Sequence, residues 1–441
     1  MALGGTFLGS AKGRLLAPSI PFRFFGTATL FQLLAWLALF WAAPAVPGFT
    51  AGLGWPLAAL HLFTLGVLVM TAVGASLQLL PVASRQAPVA APWPYRALWL
   101  LLSAGVLGLG AGLAGALPTT LAGAAFALAL ALLLYLVLLA KNLLGARGMP
   151  LVIAHGWVAS LSLLLVLGSG VSLALFYSGW AVLERDTALR LHVTYAAYGF
   201  MGMLVMGLSS LLVPMFALAQ NPSPRWSAVS FALATGALLL ALPLALGVWA
   251  RQLLGWVVGL GAIALLIHVL LMWRALRSGM RQGLGKPFLL VRLGWALLLA
   301  SLAAVPGLEA PWMAARPALF GLLLLGGLLT LALGMLSRIV PFLASMHAGA
   351  GMRRPPTPSS LTAQRPLDLH FYGHTAAMVV LIIAVLVDSV WLVRVGAALG
   401  LFAAAAFGAF VATAWRRMMQ TAAQNAAPGA PLVPQPRNIE T

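Results

Sequence analysis

The sequence predicts an all-α membrane protein of about twelve transmembrane helices, and three observations carry that prediction. The chain is 62% hydrophobic and only 7% charged, which leaves too little polar surface for a soluble chain of 441 residues. Twelve apolar runs recur along it, each near the roughly twenty residues that a helical span requires. Lys and Arg are concentrated on alternate connections between those runs, as in inner-membrane proteins.

The runs lie at 20–43, 55–81, 95–115, 119–144, 150–177, 188–219, 226–249, 252–274, 288–306, 317–345, 369–391 and 394–415. The first, around Arg23, is too long for a signal-peptide core and has no cleavage site after it, so it reads as an uncleaved span. The remaining runs are rich in Gly and Ala, which suits packed helices rather than a barrel. With the N-terminus inside, 20 of the 25 Lys and Arg residues are cytoplasmic. Only Arg185, Arg190, Arg251, Arg316 and Arg394 fall outside. An error of one helix would scramble that asymmetry, so it supports the even count and places both termini in the cytoplasm. The domain reading is a cytoplasmic segment 1–19, one twelve-helix domain 20–418 and a flexible cytoplasmic tail 419–441. The connection 346–368, rich in Pro and polar residues, is also predicted to be flexible.

Several function classes drop out. The net charge of +19 is spread between apolar runs rather than gathered on a polar face, so it is no nucleic-acid signal. The absence of cysteine excludes disulfides, thiolate metal sites and iron–sulfur clusters. The six acids are Glu184, Asp186, Glu309, Asp368, Asp388 and Glu440, none in the middle of a span. That counts against a carrier or pump built on buried carboxylates.

Three spans close on one pattern: Gly74 to Pro81, Gly207 to Pro214 and Gly334 to Pro341, each seven apart with a hydroxyl residue between. The copies fall on spans 2, 6 and 10, which predicts three four-helix units about a pseudo-threefold axis. Gly permits close helix approach, Pro ends or kinks the helix, and the hydroxyl is placed to bond the carbonyl that the kink frees.

Seven histidines are the candidate chemistry. His61 and His192 sit at similar depth near the outer starts of spans 2 and 6. Imidazole is an axial ligand for haem iron, and either residue reads as a haem or metal ligand or as a histidine bonded to a carbonyl, Thr or Tyr. Tyr195 and Tyr198 follow His192 at i+3 and i+6; they read as partners of a ligand or haem propionate, or as interface anchors. His370 and His374, four apart near Asp368, read with His347 as a metal site near the cytoplasmic surface, or as a polar helix start. His155 and His268 are isolated. Arg292 and Arg338 read as snorkelling cations; Arg338 has the alternative of a haem propionate or lipid phosphate.

These residues resemble a known superfamily. Twelve helices in three groups of four is the architecture of haem–copper oxidase and nitric-oxide reductase catalytic subunits, where a histidine about twenty residues before a helix-2 Pro ligates low-spin haem; here His61 precedes Pro81 by that spacing. The NnrS family, membrane proteins of nitric-oxide stress reported to carry haem and copper, is more similar. Its opening resembles Pro21-Phe22-Arg23-Phe24-Phe25, its second helix resembles His61, Gly66 and Pro81, and a later helix resembles Met335-Leu336-Ser337-Arg338. The departures are specific. Ala59 stands where that family has a further histidine, span 7 has no histidine for copper, and span 10 has none before His347. Oxygen or nitric-oxide reduction is therefore not carried over.

The resemblance implies an inner-membrane protein binding haem b through His61; the second ligand is read from depth alone as His192, with Met313 or five-coordinate iron as the alternatives. Its role would be respiratory or nitrogen-oxide metabolism, with an electron-transfer partner. The alternatives are copper or haem handling, to which scattered methionines apart from Met201, Met203 and Met206 lend little, and a cofactor-free scaffold or assembly partner.

Overall fold

The structure, a computed structural model, describes residues 13–281, 283–308, 310–349, 352 and 355–426. Residues 1–12 and 427–441, with Glu309, Arg353 and Arg354, lie outside them, so most of the N-terminal segment and tail readings go untested. Among the described residues twelve helices are long and apolar enough to cross a membrane. They are α1 (Ser19–Ala45), α2 (Trp55–Ser84), α3 (Trp93–Ala114), α4 (Pro118–Leu144), α5 (Pro150–Tyr177) and α6 (Arg185–Ala217). The second half comprises α7 (Pro224–Ala245), α8 (Arg251–Ser278), α9 (Lys286–Gly307), α10 (Ala318–Ala348), α11 (Gln364–Leu386) and α12 (Val390–Asn425). Each matches a predicted run, and the protein is a polytopic membrane protein.

The ends differ in ways that have local causes. Six helices carry a proline at their first or second position, where the missing N–H is one the first turn leaves unbonded in any case. Glu184 starts α6 earlier than hydropathy predicts, because its carboxylate accepts the backbone N–H groups of Asp186 at 3.0 Å and Thr187 at 2.8 Å. The α12 helix continues helically to Ala426, past the tail boundary at 418, since no Gly or Pro interrupts 416–426. The described part of 346–368 is also pinned. It forms a short helix Pro358–Leu361, and Arg417 donates to the Ser360 and Thr362 carbonyls at 3.2 and 2.8 Å.

Helices α2, α6 and α10 form the centre. Their most apolar stretches are 72%, 72% and 67% buried, against 22–50% for the other nine, and the three touch one another. Lipid gives helices no hydrophobic reason to associate, so close packing of small residues has to hold them. The glycines of the repeat supply it. A Cβ at Gly74 would lie 2.8 Å from Phe24 Cβ, one at Gly207 2.8 Å from His155 Cβ, and one at Gly334 2.8 Å from the Pro287 carbonyl oxygen. Two turns earlier, a Cβ added at Gly66, Gly199 or Gly327 would lie 2.6, 2.6 or 3.0 Å from Phe31, Ser162 or Leu298 respectively. The neighbours belong to α1, α5 and α9 in turn, so each central helix uses its glycine stripe for the helix just before it.

Two central helices share a second feature. Leu62–Val69 and Tyr195–Gly202 are π-helical, each starting twelve residues before its motif glycine, at 62 against 74 and 195 against 207. In α10 the helix is α throughout. The predicted role of the hydroxyls is corrected. Ser76, Ser209 and Ser337 bond Val73, Met206 and Leu333 carbonyls, one turn before the carbonyls that Pro81, Pro214 and Pro341 leave free. Ser76 and Ser209 also reach sideways, to Tyr135 Oη of α4 at 2.8 Å and His268 Nε2 of α8 at 2.7 Å. Pro81 and Pro214 stand three residues from their helix ends, whereas α10 runs seven residues beyond Pro341.

Candidate cofactor site

His61 ends the first α-helical stretch of α2, immediately before its π segment, and His192 lies three residues before the π segment of α6. They are six and seven residues into helices that start on the same face of the bundle, hence about 10 Å deep at 1.5 Å per residue. The fold brings them together: their ring centres are 6.3 Å apart with planes inclined at 27°. A π turn adds a residue to the helix and re-aims the side chains around it, and such turns gather at functional sites.

Both rings are held by the same nitrogen. His61 Nδ1 lies 3.0 Å from the Leu57 carbonyl oxygen, and His192 Nδ1 lies 3.3 Å from that of Val166, with Ser169 Oγ at 3.5 Å. A carbonyl only accepts, so each Nδ1 carries the proton and each Nε2 keeps a lone pair. Both imidazoles are half-buried. The α5 helix completes the site through a glycine: a Cβ on Gly170 would lie 3.0 Å from His192 Cε1. The α5 contribution was not read from the sequence; its signal was the small-residue run Gly168-Ser169-Gly170.

The arrangement fits one metal centre. A metal–imidazole bond of about 2.0 Å puts the ion roughly 3 Å from the ring centre, so two imidazoles trans across an ion stand about 6 Å apart. Among the described residues no group of three or more His, Asp or Glu side chains converges anywhere.

Other predicted members lie elsewhere. Tyr195 donates its hydroxyl to the Leu238 carbonyl of α7 at 2.8 Å, which commits it to helix packing. Tyr198 Oη meets Ser301 Oγ of α9 at 3.4 Å. Arg338 sits 20 residues into α10, donates to the Leu284 carbonyl at 2.8 Å and lies over the Phe288 ring. It is at the opposite end of the bundle from His61 and His192, so a propionate partnership with that pair is excluded. Met313 packs with Leu319 and Val385 in a separate small cluster.

The second histidine group is also redrawn. His370 and His374 lie six and ten residues into α11, about 9 and 15 Å from its start, deeper than predicted because that helix begins at Gln364 rather than near 369. Both are 0% exposed, and their ring centres are 5.5 Å apart. His347 does not join them. His374 Nε2 meets Thr330 Oγ1 at 2.9 Å, and His347 is seventeen residues further along α10, about 25 Å away. Asp368 instead pairs with Lys286 Nζ at 2.8 Å. His155 packs 4.8 Å from the Phe231 ring, and His268 holds Ser209. No protein-family model matches the chain, and none of the curated proteins compared with it is significantly similar.

Proposed function

We propose that this chain is an inner-membrane haem b-binding protein of respiratory or nitric-oxide metabolism, without oxygen-reductase activity. The observation that carries the reading is the pair His61 and His192, with tethered Nδ1 atoms, free Nε2 atoms and ring centres 6.3 Å apart. At that separation the two imidazoles would be able to hold one iron between them. The resemblance to the NnrS family at His61, Gly66 and Pro81 adds support from a separate direction. So do the glycine stripes of α2, α6 and α10, each serving the preceding helix. They favour three four-helix units in the manner of haem–copper oxidase subunits. The charge asymmetry of the connections favours cytoplasmic termini and puts the histidine pair on the periplasmic side.

In this reading His61 and His192 would hold the haem iron through Nε2, with Leu57 and Val166 orienting the rings through the Nδ1 protons and Gly170 leaving room for the second ring. Bound haem would supply one-electron transfer and nitric-oxide binding.

The test is the optical spectrum of detergent-purified protein, oxidised and dithionite-reduced, with His61→Ala and His192→Ala beside wild type. A Soret band with sharp reduced bands, altered or lost in both variants, is the expected result; nitric oxide added to the reduced form then shifts it. Colourless protein from cells well supplied with haem overturns the proposal, and metal analysis then distinguishes copper handling from a cofactor-free scaffold.

A further inference from the structure

The end of α8 and its connection to α9 carry Arg274, Arg277, Arg281 and Lys286. Arg338 joins them from α10. Its Nη2 donates to the Leu284 carbonyl oxygen of that connection at 2.8 Å, and its guanidinium lies 5.8 Å from the Phe288 ring centre. Leu284 is its one hydrogen-bond acceptor among the described residues, and its Nε is buried without a partner. Native structures seldom leave such a donor unpaired, and a guanidinium fork matches an oxyanion. Arg281 is exposed, its backbone N–H is pinned to the Ala217 carbonyl at the end of α6 at 3.2 Å, and its charge stands close enough to bear on that of Arg338. Among the described residues the one carboxylate at this end of the bundle is Asp368, which Lys286 holds at 2.8 Å. Glu184, Asp186 and Asp388 lie at the opposite end. The counter-charge for the two arginines therefore has to come from outside the described chain.

We propose that Arg281 and Arg338 seat the phosphate of an anionic phospholipid in the leaflet at this end of the bundle, with an acyl chain along α8. Depth favours a lipid. Arg338 reaches Leu284, between the end of α8 at Ser278 and the start of α9 at Lys286, so its guanidinium stands where helices leave the hydrocarbon for the headgroups. The surface of α8 favours it too. Leu266, Leu270, Trp273 and Arg277 recur at spacings of four, three and four on one face. The three apolar members are 46%, 45% and 43% exposed, and the Arg277 guanidinium lies 4.7 Å from the Trp273 ring centre. An apolar strip thus leads up to the cations, as a lipid requires and a soluble anion does not. Charge selects the headgroup: a zwitterionic lipid brings its own ammonium to a cluster already rich in cations, and an anionic one does not. The site lies at the opposite end of the bundle from His61 and His192 and is independent of the haem reading.

The experiment is native mass spectrometry of the delipidated full chain in detergent, titrated with dioleoyl phosphatidylglycerol or dioleoyl phosphatidylcholine. Wild type takes up phosphatidylglycerol about ten-fold more tightly than phosphatidylcholine. Arg338→Gln and Arg281→Gln each weaken phosphatidylglycerol about five-fold, the effect of one cation at an anionic surface, and leave phosphatidylcholine unchanged. Arg85→Gln, which removes an exposed cation at the end of α2, leaves both unchanged. Excess inorganic phosphate does not displace the bound lipid. Equal uptake of the two lipids overturns the proposal. So does an equal loss in Arg85→Gln, which marks diffuse surface charge, or displacement by phosphate, which marks a site for a soluble oxyanion. Should Arg338→Gln not fold, Arg281→Gln, at an exposed position, decides alone.

Discussion

Replacing Gly66 by Ala tests how the central helices are held. The added Cβ would stand 2.6 Å from Phe31 Cβ and 2.7 Å from Phe31 Cγ, where carbon atoms normally settle at about 3.5–4.0 Å. Phe31 Cβ is bonded directly to the backbone and cannot rotate away, so α1 has to retreat by about 1 Å. Overpacking of this kind costs about 1–3 kcal/mol, and the gain from Gly to Ala within a helix returns about 1 kcal/mol. Gly123 of α4 is the control, because nothing lies within 4 Å of its Cβ position and only the gain applies. The two variants are therefore expected to separate by about 1–3 kcal/mol, Gly66→Ala melting below wild type or level with it and Gly123→Ala at or above it. Thermal unfolding in detergent, followed by tryptophan fluorescence, reads the order; Trp36, 4.9 Å from the Phe63 ring at this contact, reports the α1–α2 seam. If Gly66→Ala melts as high as Gly123→Ala, the glycine stripe is not what sets helix spacing.

Two further outcomes follow from the same structure. Tyr135→Phe strands one side of a fully buried Ser76–Tyr135 bond of 2.8 Å and is expected to cost about 1–2 kcal/mol; adding Ser76→Ala should recover part of that, and unfolding midpoints that do not move refute the pairing. Glu184 is held below its ordinary pKa of 4.5 first by the Thr187 hydroxyl, then by the Asp186 and Thr187 backbone N–H groups. A depressed carboxyl adds stability above its ordinary pKa and loses it as pH falls through the lowered one. Hydrogen exchange at Asp186 and Thr187 should therefore accelerate, beyond its intrinsic pH dependence, on acidification below pH 4.5, and Glu184→Ala should abolish the effect.

Much of the fold was legible because hydrocarbon imposes a length on every span, and a run such as 150–177 has no other stable use. The Gly–Pro repeat was legible as spacing, and its centrality follows from physics: three helices packed on every side need small residues where neighbours press hardest. The hydroxyls were misread because a serine in a helix finds the carbonyl of its own previous turn first. Ser76 and Ser209 then met partners on α4 and α8 that no local rule names. The carbonyls that Arg338 and Tyr195 bond, of Leu284 and Leu238, were illegible for a related reason, since hydropathy reports depth but not which neighbour a side chain faces.

By itself the sequence determined the number of spans, their order, the depth of His61 and His192 and the stripe of His370 and His374, because helical periodicity and bilayer thickness are local constraints. Only the tertiary structure decided that His61 and His192 face each other at 6.3 Å and that His347 stays apart from His374. Those outcomes depend on how far helices rotate about their own axes. The π turns and glycine contacts set that rotation, and they take effect only once all the helices are packed.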